Sequence, residues 1–399
     1  MTPKPHEGGD RSPVDVIVIG GGVIGLSCAW RAAVKGLSVT LVDPLPGKGA
    51  SWAAAGMLAP VSEAHYGEEA LIRLNLASAR AWPEFSAELE MASGMGVGYR
   101  ACGTLAVAAD RGDLAVLEKL CRFHHSLGLP SELVGPSDCR RLEPLLAPGI
   151  SGGLLAPGDH QVDNRLLIEA LGAACQRSGV RLVAARVEQL SRRGARAVGV
   201  QLGDGTTLAG GQVLLAAGCW SGQIGGLAPH ASPPVRPVKG VILRLNGPAT
   251  APVLSRNLKG LVKGSSVYLV PRLDGTVVLG ATVEEQGFDT RVKVGSVADL
   301  LEDARAVLRA VDDLELVETH AGLRPGSPDN APMLGRPSGV EGLVIATGHY
   351  RNGILLAPVT ADSIAEVLAG GESPALIAPF SPRRWEPAGW EPAGWELAQ

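Results

Sequence analysis

The stretch from Val14 to Trp30, which reads VDVIVIGGGVIGLSCAW, constrains the fold of this chain more than any other segment. It opens with a block of Val and Ile residues, which is typical of a strand buried on both faces of a parallel sheet. Gly20, Gly22 and Gly25 follow in G-x-G-x-x-G spacing, and a helix is predicted from Val23. In such a turn the first glycine permits the bend, the second lets a pyrophosphate approach the backbone, and the third lets helix and strand pack closely. The stretch therefore predicts a dinucleotide-binding strand, turn and helix.

Asp43 supports this interpretation. It ends the next predicted strand, Leu37–Asp43, and stands 23 residues after Gly20, where a carboxylate accepts hydrogen bonds from a ribose diol. An acidic residue here favours FAD or NAD over NADP. The run GKGASWAAAGMLAP, which begins at Gly47, leaves little room for the second mononucleotide half of an NAD dehydrogenase. Its small side chains would let backbone amides line a phosphate or a flavin ring, and an Ala-rich helix is the alternative.

Composition and charge exclude several classes of protein. The 399 residues are enough for a large α/β domain with a second lobe, and a net charge of -4 with scattered basic residues argues against a nucleic-acid partner. The six cysteines show no Cys-x-x-Cys pair and no histidine at zinc-ligand spacing, so buried reduced thiols and no metal site are expected. Met1–Pro13 has no apolar signal region, and no run of about 18 apolar residues occurs, which predicts a cytoplasmic protein without a membrane span.

Hydrophobic periodicity predicts further elements along the chain. Helices are expected at Val23–Lys35, Leu114–Leu127, Leu166–Ser178, 297–311 and Ile354–Leu368, and strands at Val180–Ala184, Gln212–Gly218, Val241–Leu245, Val267–Val270, Val277–Leu279 and Gly342–Gly348. Residues 187–208 indicate a small antiparallel meander with a GDG hairpin turn. The C-terminal WEPAG repeats place Trp385, Trp390 and Trp395 at a spacing that suits neither helix nor strand, so a mobile tail is expected.

Six motifs in order resemble the glycine oxidase branch of the D-amino-acid oxidase family of FAD-dependent amine oxidases. They are IVIGGGVIGLSCAW, GASWAAAGMLAP, AAGCWSG, YLVPR, AGLRPGSPDNAPMLG and GHYRNGILLAPVTA. The resemblance implies an α/β fold with an FAD-binding, Rossmann-like (GR2-type) lobe and a substrate lobe built on a mixed or antiparallel sheet. The implied FAD lobe is 14–75 with 150–230 and 320–372, the substrate lobe is 76–149 with 231–319, and 1–13 and 381–399 are disordered tails.

The resemblance also implies which residues hold the FAD. They are Gly20, Gly22, Val23, Ile24, Gly25, Asp43 and Pro44 at the ADP half; Ala50, Ser51, Ala55, Gly56 and Met57 beside the pyrophosphate and flavin; Val187 at the adenine; and Gly348, His349, Tyr350, Arg351, Asn352, Gly353, Ile354 and Leu355 around the pyrimidine end of the flavin. No cysteine follows Cys219, so the late cysteine that links flavin covalently in sarcosine oxidase relatives is missing and FAD is expected to be non-covalent. For His349, a structural imidazole is favoured over a catalytic one.

Three residues are implied at the substrate. Arg324 matches the family's substrate arginine, and its planar guanidinium can pair with both oxygens of an α-carboxylate. Tyr268 matches a position that hydrogen-bonds the same carboxylate, with a core tyrosine as the alternative. Arg351 is expected at the substrate or the flavin edge, with a surface salt bridge as the alternative. No residue is expected to act as an acid or base, because hydride transfer to the flavin depends largely on positioning.

Two other positions bear on substrate selectivity and on the reaction with oxygen. Val283 stands where family members often carry a bulky methionine. The smaller valine would widen the pocket beyond what glycine needs. Discrimination of one methyl group is worth only about 1–3 kcal/mol in an apolar pocket, so sarcosine and small D-amino acids stay open as substrates. Lys239 in RPVKG is interpreted as a solvated strand lysine, with a position near the flavin that favours superoxide formation as the alternative.

The implied activity is oxidation of glycine to an imine, then glyoxylate and ammonia, with oxygen reduced to hydrogen peroxide. A role in thiazole formation for thiamine and a homo-oligomer, commonly a tetramer, follow from resemblance alone. Two alternatives stay open. One is an amino-acid dehydrogenase that passes electrons to a quinone or partner subunit, and the other is a dinucleotide-fold binding protein without redox chemistry.

Overall fold

The computed structural model describes residues 13–385, and two eight-stranded sheets dominate this part of the chain. Strands and helices are numbered in chain order. The first sheet contains β1 (Val14–Ile19), β2 (Val39–Val42), β8 (Arg181–Val183), β9 (Val187–Arg193), β10 (Arg196–Leu202), β11 (Thr207–Leu215), β17 (Met333–Gly335) and β18 (Leu343–Thr347). Its order is β17-β18-β11-β1-β2-β8, and β9 and β10 extend from β11 as an antiparallel meander. Because β1 pairs in parallel with both β2 and β11, its carboxyl end opens into a crevice between them.

The second sheet is mostly antiparallel. It contains β4 (Thr104–Ala108), β5 (Glu132–Val134), β6 (Gly152–Ala156), β12 (Arg236–Asn246), β13 (Asn257–Val262), β14 (Ser265–Pro271), β15 (Thr276–Gly280) and β16 (Glu315–Gly326). Its order is β16-β12-β15-β14-β13-β4-β6-β5, with β13 and β4 parallel. A two-stranded sheet of β3 (Met57–Leu58) and β7 (His160–Gln161) completes the strands of the described residues.

The helices cover these sheets. They are α1 (Val23–Val34), α2 (Ala50–Ala53), α3 (Glu69–Ser93), α4 (Arg111–Ser126), α5 (Pro136–Leu142), α6 (Asn164–Arg177), α7 (Val294–Val307) and α8 (Ala357–Leu368). One face of the first sheet shares a core with α1, α3, α6 and α8, and there Trp30 and Trp82 each contact the Phe85 ring edge-on with centroids 5.5 Å apart. Helix α7 packs on the second sheet through Leu300 and Val307. The two sheets therefore contribute to separate hydrophobic clusters, each covered by helices.

The capping residues explain where two of these helices begin. Asp163 precedes α6 and its side chain accepts hydrogen bonds from the N–H groups of Arg165 and Leu166 at 2.9 and 3.2 Å. Asp110 caps α4 in the same way through the N–H of Asp113. Among residues 13–385, no helix combines the length and apolar character needed to cross a bilayer. The described side chains also form no cluster of three or more His, Cys, Asp or Glu residues placed to hold a metal ion.

The predicted α/β fold with two lobes is confirmed, and most predicted elements lie within a few residues of their expected bounds. The small-residue run after Gly47 is not an Ala-rich helix, because α2 ends at Ala53 and the chain then extends into β3. The sheets do not divide at the predicted boundaries of 150 and 320. Strand β6 and the whole of β16 pair in the second sheet, and α3 packs on the first.

The C-terminal segment and one cysteine, Cys102, differ from expectation. Residues 382–385 form a 3-10 turn, in contrast to the disordered tail predicted from residue 381, and Trp390 and Trp395 lie outside the described residues. The predicted buried thiols are found at Cys28, Cys121, Cys139, Cys175 and Cys219. Cys102 is half-buried and lies 3.5 Å from the side-chain nitrogen of Gln161.

Candidate active site

A continuous cavity of about 600 Å³ runs from the glycine-rich turn after β1 to the second sheet. One end is lined by that turn and the residues that follow β2, and the other end by side chains of β12, β14 and β16. The segment from Ala50 to Met57 and the loop from His349 to Leu355 form its walls. The cavity therefore connects the predicted dinucleotide site with the predicted substrate residues.

The glycine-rich turn presents bare backbone to the cavity. Gly20 has a φ of 103°, and a Cβ atom there would lie 2.4 Å from the carbonyl oxygen of Ala216. A Cβ at Gly25 would lie 1.9 Å from the carbonyl oxygen of Gly20, so helix α1 packs against the turn more closely than any side chain allows. The N–H groups in the first turn of α1 lack partners within the helix, which makes its N-terminus suitable for an anion.

Asp43 lines the cavity beside this turn. Its Oδ2 accepts a hydrogen bond from the N–H of Gly21 and its Oδ1 from the N–H of Leu45, both at 2.7 Å. An ionised carboxylate has about four acceptor positions, so acceptor capacity remains for a ribose diol. The bare turn, the helix N-terminus and Asp43 together fit the ADP half of FAD.

A buried polar network fixes the wall between Ser51 and Gly56. Arg272, which follows β14, donates to the carbonyl of Ala55 at 2.6 Å and to the side-chain oxygen of Asn164 at 3.2 Å. Asn164 in turn donates to the carbonyls of Ser51 and Trp52, both at 2.9 Å. The hydroxyl of Ser51 accepts the N–H of Val23 at 2.9 Å. A path of hydrogen bonds therefore links the second sheet to the first turn of α1.

The loop from Gly348 to Leu355 is held from two sides. The carbonyl of Leu355 accepts hydrogen bonds from Ser78 and Trp82 of α3 at 2.6 and 2.9 Å. Tyr350, whose φ of 47° is left-handed, donates its N–H to the carbonyl of Pro325 at 3.1 Å. The loop is therefore tied to α3 and to the segment that carries Arg324.

His349 lies in the same loop and is buried. Its Nε2 is 3.1 Å from the hydroxyl of Thr360. Burial lowers the pKa of the imidazole to about 3, so it is neutral at physiological pH. A neutral ring with a fixed partner is what a structural histidine requires.

Arg324 and Tyr268 face the cavity from neighbouring parts of the second sheet. The Nη1 of Arg324 donates to the carbonyl of Thr282 at 3.1 Å, and its guanidinium lies over Gly240, where a Cβ would be 2.3 Å from Nη2. The Tyr268 hydroxyl lies over Gly280, where a Cβ would be 2.7 Å away. Burial raises the pKa of Tyr268 although the nearby Arg324 opposes it, so the phenol stays protonated and can donate. The pair can bind one carboxylate.

Glu63 is a site residue that the sequence analysis missed. It lines the cavity, forms an ion pair with Lys259, and its Oε2 is 4.0 Å from Nη1 of Arg351. Burial opposes its ionisation, but Lys259, Arg351 and His65 together outweigh this effect and the pKa of Glu63 is lowered. An ionised carboxylate with a low pKa is a poor base at neutral pH.

Most of the predicted site residues line this cavity. Those that do are Gly20, Gly22, Val23, Ile24, Asp43, Pro44, Ala50, Ser51, Ala55, Gly56, Met57, Val187, Tyr268, Arg324, His349, Tyr350, Arg351, Asn352, Gly353, Ile354 and Leu355. Gly25 and Gly348 are not among the lining residues. Gly25 contributes through the close packing of α1, and Gly348, whose φ is 76°, starts the loop.

Lys239 is neither solvated nor at the cavity, in contrast to both interpretations of the sequence. Its side chain is fully buried, 2.9 Å from a carboxylate oxygen of Glu284, and it donates to the Gln286 side chain and the Arg291 carbonyl, both at 3.1 Å. Val283 does line the cavity and is 58% exposed. The position that lacks the family's methionine is therefore open to solvent.

Comparison with known proteins is consistent with this geometry. Residues 15–367 match the family described as DAO, FAD dependent oxidoreductase. The chain is 32% identical to a glycine oxidase of Geobacillus kaustophilus over 93% of this chain and 97% of that protein. The crystal structure of glycine oxidase from that organism superposes with a TM-score of 0.85 at 31% identity, covering 92% of this chain and 98% of the other.

Two further relatives differ in length or in name. The bifunctional protein ThiO/ThiG of Trichormus variabilis is 36% identical over 93% of this chain, but the chain spans only 55% of that protein. The hydrogen cyanide synthase subunit HcnC of Pseudomonas aeruginosa is 29% identical, with 93% of this chain and 96% of that protein covered. Relatives whose names indicate different activities thus match nearly the whole chain.

Proposed function

The chain belongs to the FAD dependent oxidoreductase family, and from this premise we propose that it oxidises glycine to the imine, which hydrolyses to glyoxylate and ammonia while oxygen becomes hydrogen peroxide. Sarcosine and small D-amino acids are further candidate substrates. The observation that carries the proposal is the position of Arg324 and Tyr268, which face the same cavity as the glycine-rich turn. A bound amino acid would therefore meet the cofactor that the turn holds.

Arg324 would bind the substrate carboxylate. One nitrogen of its guanidinium is fixed by the carbonyl of Thr282, so the remaining N–H groups are preoriented for a two-point contact with a carboxylate. The phenol of Tyr268 would donate a third hydrogen bond to the same group. This arrangement orients Cα without an acid or base, and positioning supplies much of the rate.

FAD, held without a covalent bond, would accept the hydride that leaves Cα of the substrate. The described residues that line the cavity bind and orient, and neither the neutral imidazole of His349 nor the ionised Glu63 is tuned to take a proton near pH 7. The amine must therefore arrive unprotonated or lose its proton to solvent on binding.

The biological role and assembly are also proposals. Similarity to the ThiO/ThiG protein supports delivery of the imine to thiazole formation in thiamine biosynthesis. We further propose a cytoplasmic location and a homo-oligomer, with a tetramer as the commonest form implied by the family resemblance. Size-exclusion chromatography with light scattering would measure the assembly directly.

The visible spectrum tests the activity. Anaerobic glycine should abolish the flavin absorbance of the purified protein, and admission of air should restore it with one hydrogen peroxide released per glycine consumed. A flavin that glycine leaves unchanged would contradict the proposed substrate, and D-alanine, sarcosine and D-proline would then be tested in the same way. The variant Arg324→Ala in parallel separates specific oxidation from trace contaminants.

The second candidate is a dehydrogenase that passes electrons to a quinone or to a partner subunit. Similarity to HcnC, which is named as a subunit of a hydrogen cyanide synthase, favours a partner subunit as the acceptor. The same spectral experiment separates the two candidates. Absorbance that glycine removes and air fails to restore, but that a soluble quinone restores, would support the dehydrogenase.

A further inference from the structure

Glu63 places a negative charge in the substrate half of the cavity. Its carboxylate lines the cavity together with Tyr268, Arg324 and Arg351. The side chain is 20% exposed and pairs with Lys259, while its second oxygen is 4.0 Å from the guanidinium of Arg351. A ligand bound to Arg324 therefore shares the cavity with an anionic side chain of the protein.

The segment that carries Glu63 is fixed by buried groups. Asp159 is fully buried and accepts the N–H groups of Val61 and Ser62 at 3.0 and 2.7 Å. Lys259 donates to the carbonyl of Ser62 at 3.0 Å as well as to Glu63. The backbone beside Glu63 is therefore fixed, a rotation of the carboxylate away from the cavity would break its contact with Lys259, and the lowered pKa of Glu63 keeps it ionised.

The negative charge of Glu63 should affect the binding of two kinds of substrate differently. A small amino acid with one carboxylate satisfies Arg324 and brings no further charge. A substrate with a second carboxylate on its nitrogen or side chain must place that group in the same cavity. Repulsion between like charges falls only with the inverse of their distance and is weakly screened in a buried site, so it acts on a second carboxylate that lies in the buried part of the cavity near Glu63. Arg351 offers limited relief, because Glu63 already faces it.

We propose that Glu63 is a specificity-determining residue that favours amino acids with a single carboxylate over those with a second one. The inference rests on the proposed amine oxidation and adds the substrate class that the cavity rejects. The proposed discrimination depends on the charge of the substrate and not on its size. The cavity is open to solvent at Val283, so a larger substituent has room there.

The test compares sarcosine with iminodiacetate. Both are glycine with one substituent on nitrogen, a methyl group in the first and a carboxymethyl group in the second. In Glu63→Gln, the ratio of kcat/KM for iminodiacetate to that for sarcosine should rise at least about tenfold over the wild-type ratio. Glu63→Asp keeps the charge and should keep the wild-type ratio.

Glu69→Gln is the matched control. It removes one negative charge from the same segment, but Glu69 begins α3, is exposed and is not among the residues that line the cavity. Its ratio should stay within about twofold of wild type, because an exposed charge outside the cavity is screened. An equal rise in both variants would show a general effect of net charge and overturn the proposal.

Two other results would also overturn it. An unchanged ratio in Glu63→Gln would show that the carboxylate does not sense a second charge. An equal fall in kcat/KM for glycine, sarcosine and iminodiacetate would show that Glu63 acts on the amine that all three share.

A binding experiment separates this inference from the proposed activity. Acetate and malonate, which carry one and two carboxylates, are titrated against the flavin spectrum of the holoenzyme, and Glu63→Gln should reduce the preference for acetate. If wild type oxidises none of the three amines, the proposed function fails while this titration still decides the role of Glu63. If the amines are oxidised and neither ratio changes, the inference alone fails.

Discussion

Replacement of Arg272 by methionine should weaken both the fold and the retention of FAD. The guanidinium is 4% exposed and donates to the Gln161 side chain at 2.7 Å, the Val162 carbonyl at 3.0 Å, the Ala55 carbonyl at 2.6 Å and the Asn164 side chain at 3.2 Å. Burial lowers its pKa to about 10, with Asp163 opposing that shift, so it is charged at pH 7. Methionine fills a similar volume but donates nothing.

The size of the effect follows from the groups left without a donor. Removal of one partner from a buried charged pair costs about 3–5 kcal/mol, and the buried acceptors of Arg272 are left unsatisfied at the same time. We expect Arg272→Met to lose about 3–5 kcal/mol of unfolding free energy, because these losses share one site and do not add. Since the Ala55 wall loses its anchor, FAD affinity should fall at least about tenfold, or about 1.4 kcal/mol.

Two measurements separate these effects. Urea unfolding of the apoprotein gives the change in stability, and fluorescence titration with FAD gives the change in affinity. Arg305→Met is the control, since Arg305 is 58% exposed and pairs with Asp312 on the surface, where a pair contributes about 1 kcal/mol or less. Arg272→Lys should recover only part of both losses, because lysine keeps the positive charge but has fewer hydrogen-bond donors than arginine.

Two results would contradict the expected role of Arg272. Lower apoprotein stability with unchanged FAD affinity would show that Arg272 supports the fold but not the cofactor wall. Unchanged stability would show that the buried network contributes nothing beyond its hydrophobic surroundings.

Three further predictions concern the turn, the substrate and pH. Gly25→Ala should abolish FAD binding or cost several kcal/mol of stability, since its Cβ would lie 1.9 Å from a carbonyl oxygen. The control is Gly172→Ala, because nothing lies within 4 Å of a Cβ there. It should stabilise helix α6 by about 0.5–1 kcal/mol in thermal unfolding. Arg324→Ala should lower kcat/KM for glycine by a factor equivalent to about 2–5 kcal/mol, and an unchanged value would remove Arg324 from the substrate site. His349 has a folded pKa of about 3, below its unfolded value of 6.5, so its contribution to stability is complete above about pH 6.5 and is lost as pH falls, by about 2 kcal/mol at about pH 5. Urea unfolding of wild type and His349→Gln at both pH values should show this extra loss in wild type alone, and parallel losses would refute it.

The first strand, turn and helix are predictable because their determinants are local. Gly20, Gly25 and Asp43 act through backbone conformation and short-range geometry, and the predicted helix Val23–Lys35 is observed as Val23–Val34. Arg324 and Tyr268, the proposed substrate residues, are predicted from motifs that resemble those of the family, and both line the cavity. Their shared cavity is the part that the structure adds.

Helix α3 and Glu63 are not predictable in this way. Helix α3 contains Pro83 and has a mixed pattern of apolar and polar residues, and its buried side chains pack on helices far along the chain. Glu63 becomes a site residue through Lys259, which is 196 residues away in sequence. No local pattern marks a carboxylate whose charge state depends on such a distant partner.

The buried network also limits how the two ends of the cavity can vary. Arg272 directly follows β14 of the second sheet, and its donors fix the carbonyl of Ala55 and, through Asn164, the position of Ser51. Ser51 accepts the N–H of Val23 in the first turn of α1, which is the turn suited to the pyrophosphate. A shift of the strand that carries Tyr268 would therefore also shift the wall beside the cofactor. Because each link is a buried hydrogen bond that is costly to leave unmade, the substrate pocket can change more readily through a side chain at its open rim, such as Val283, than through movement of the second sheet.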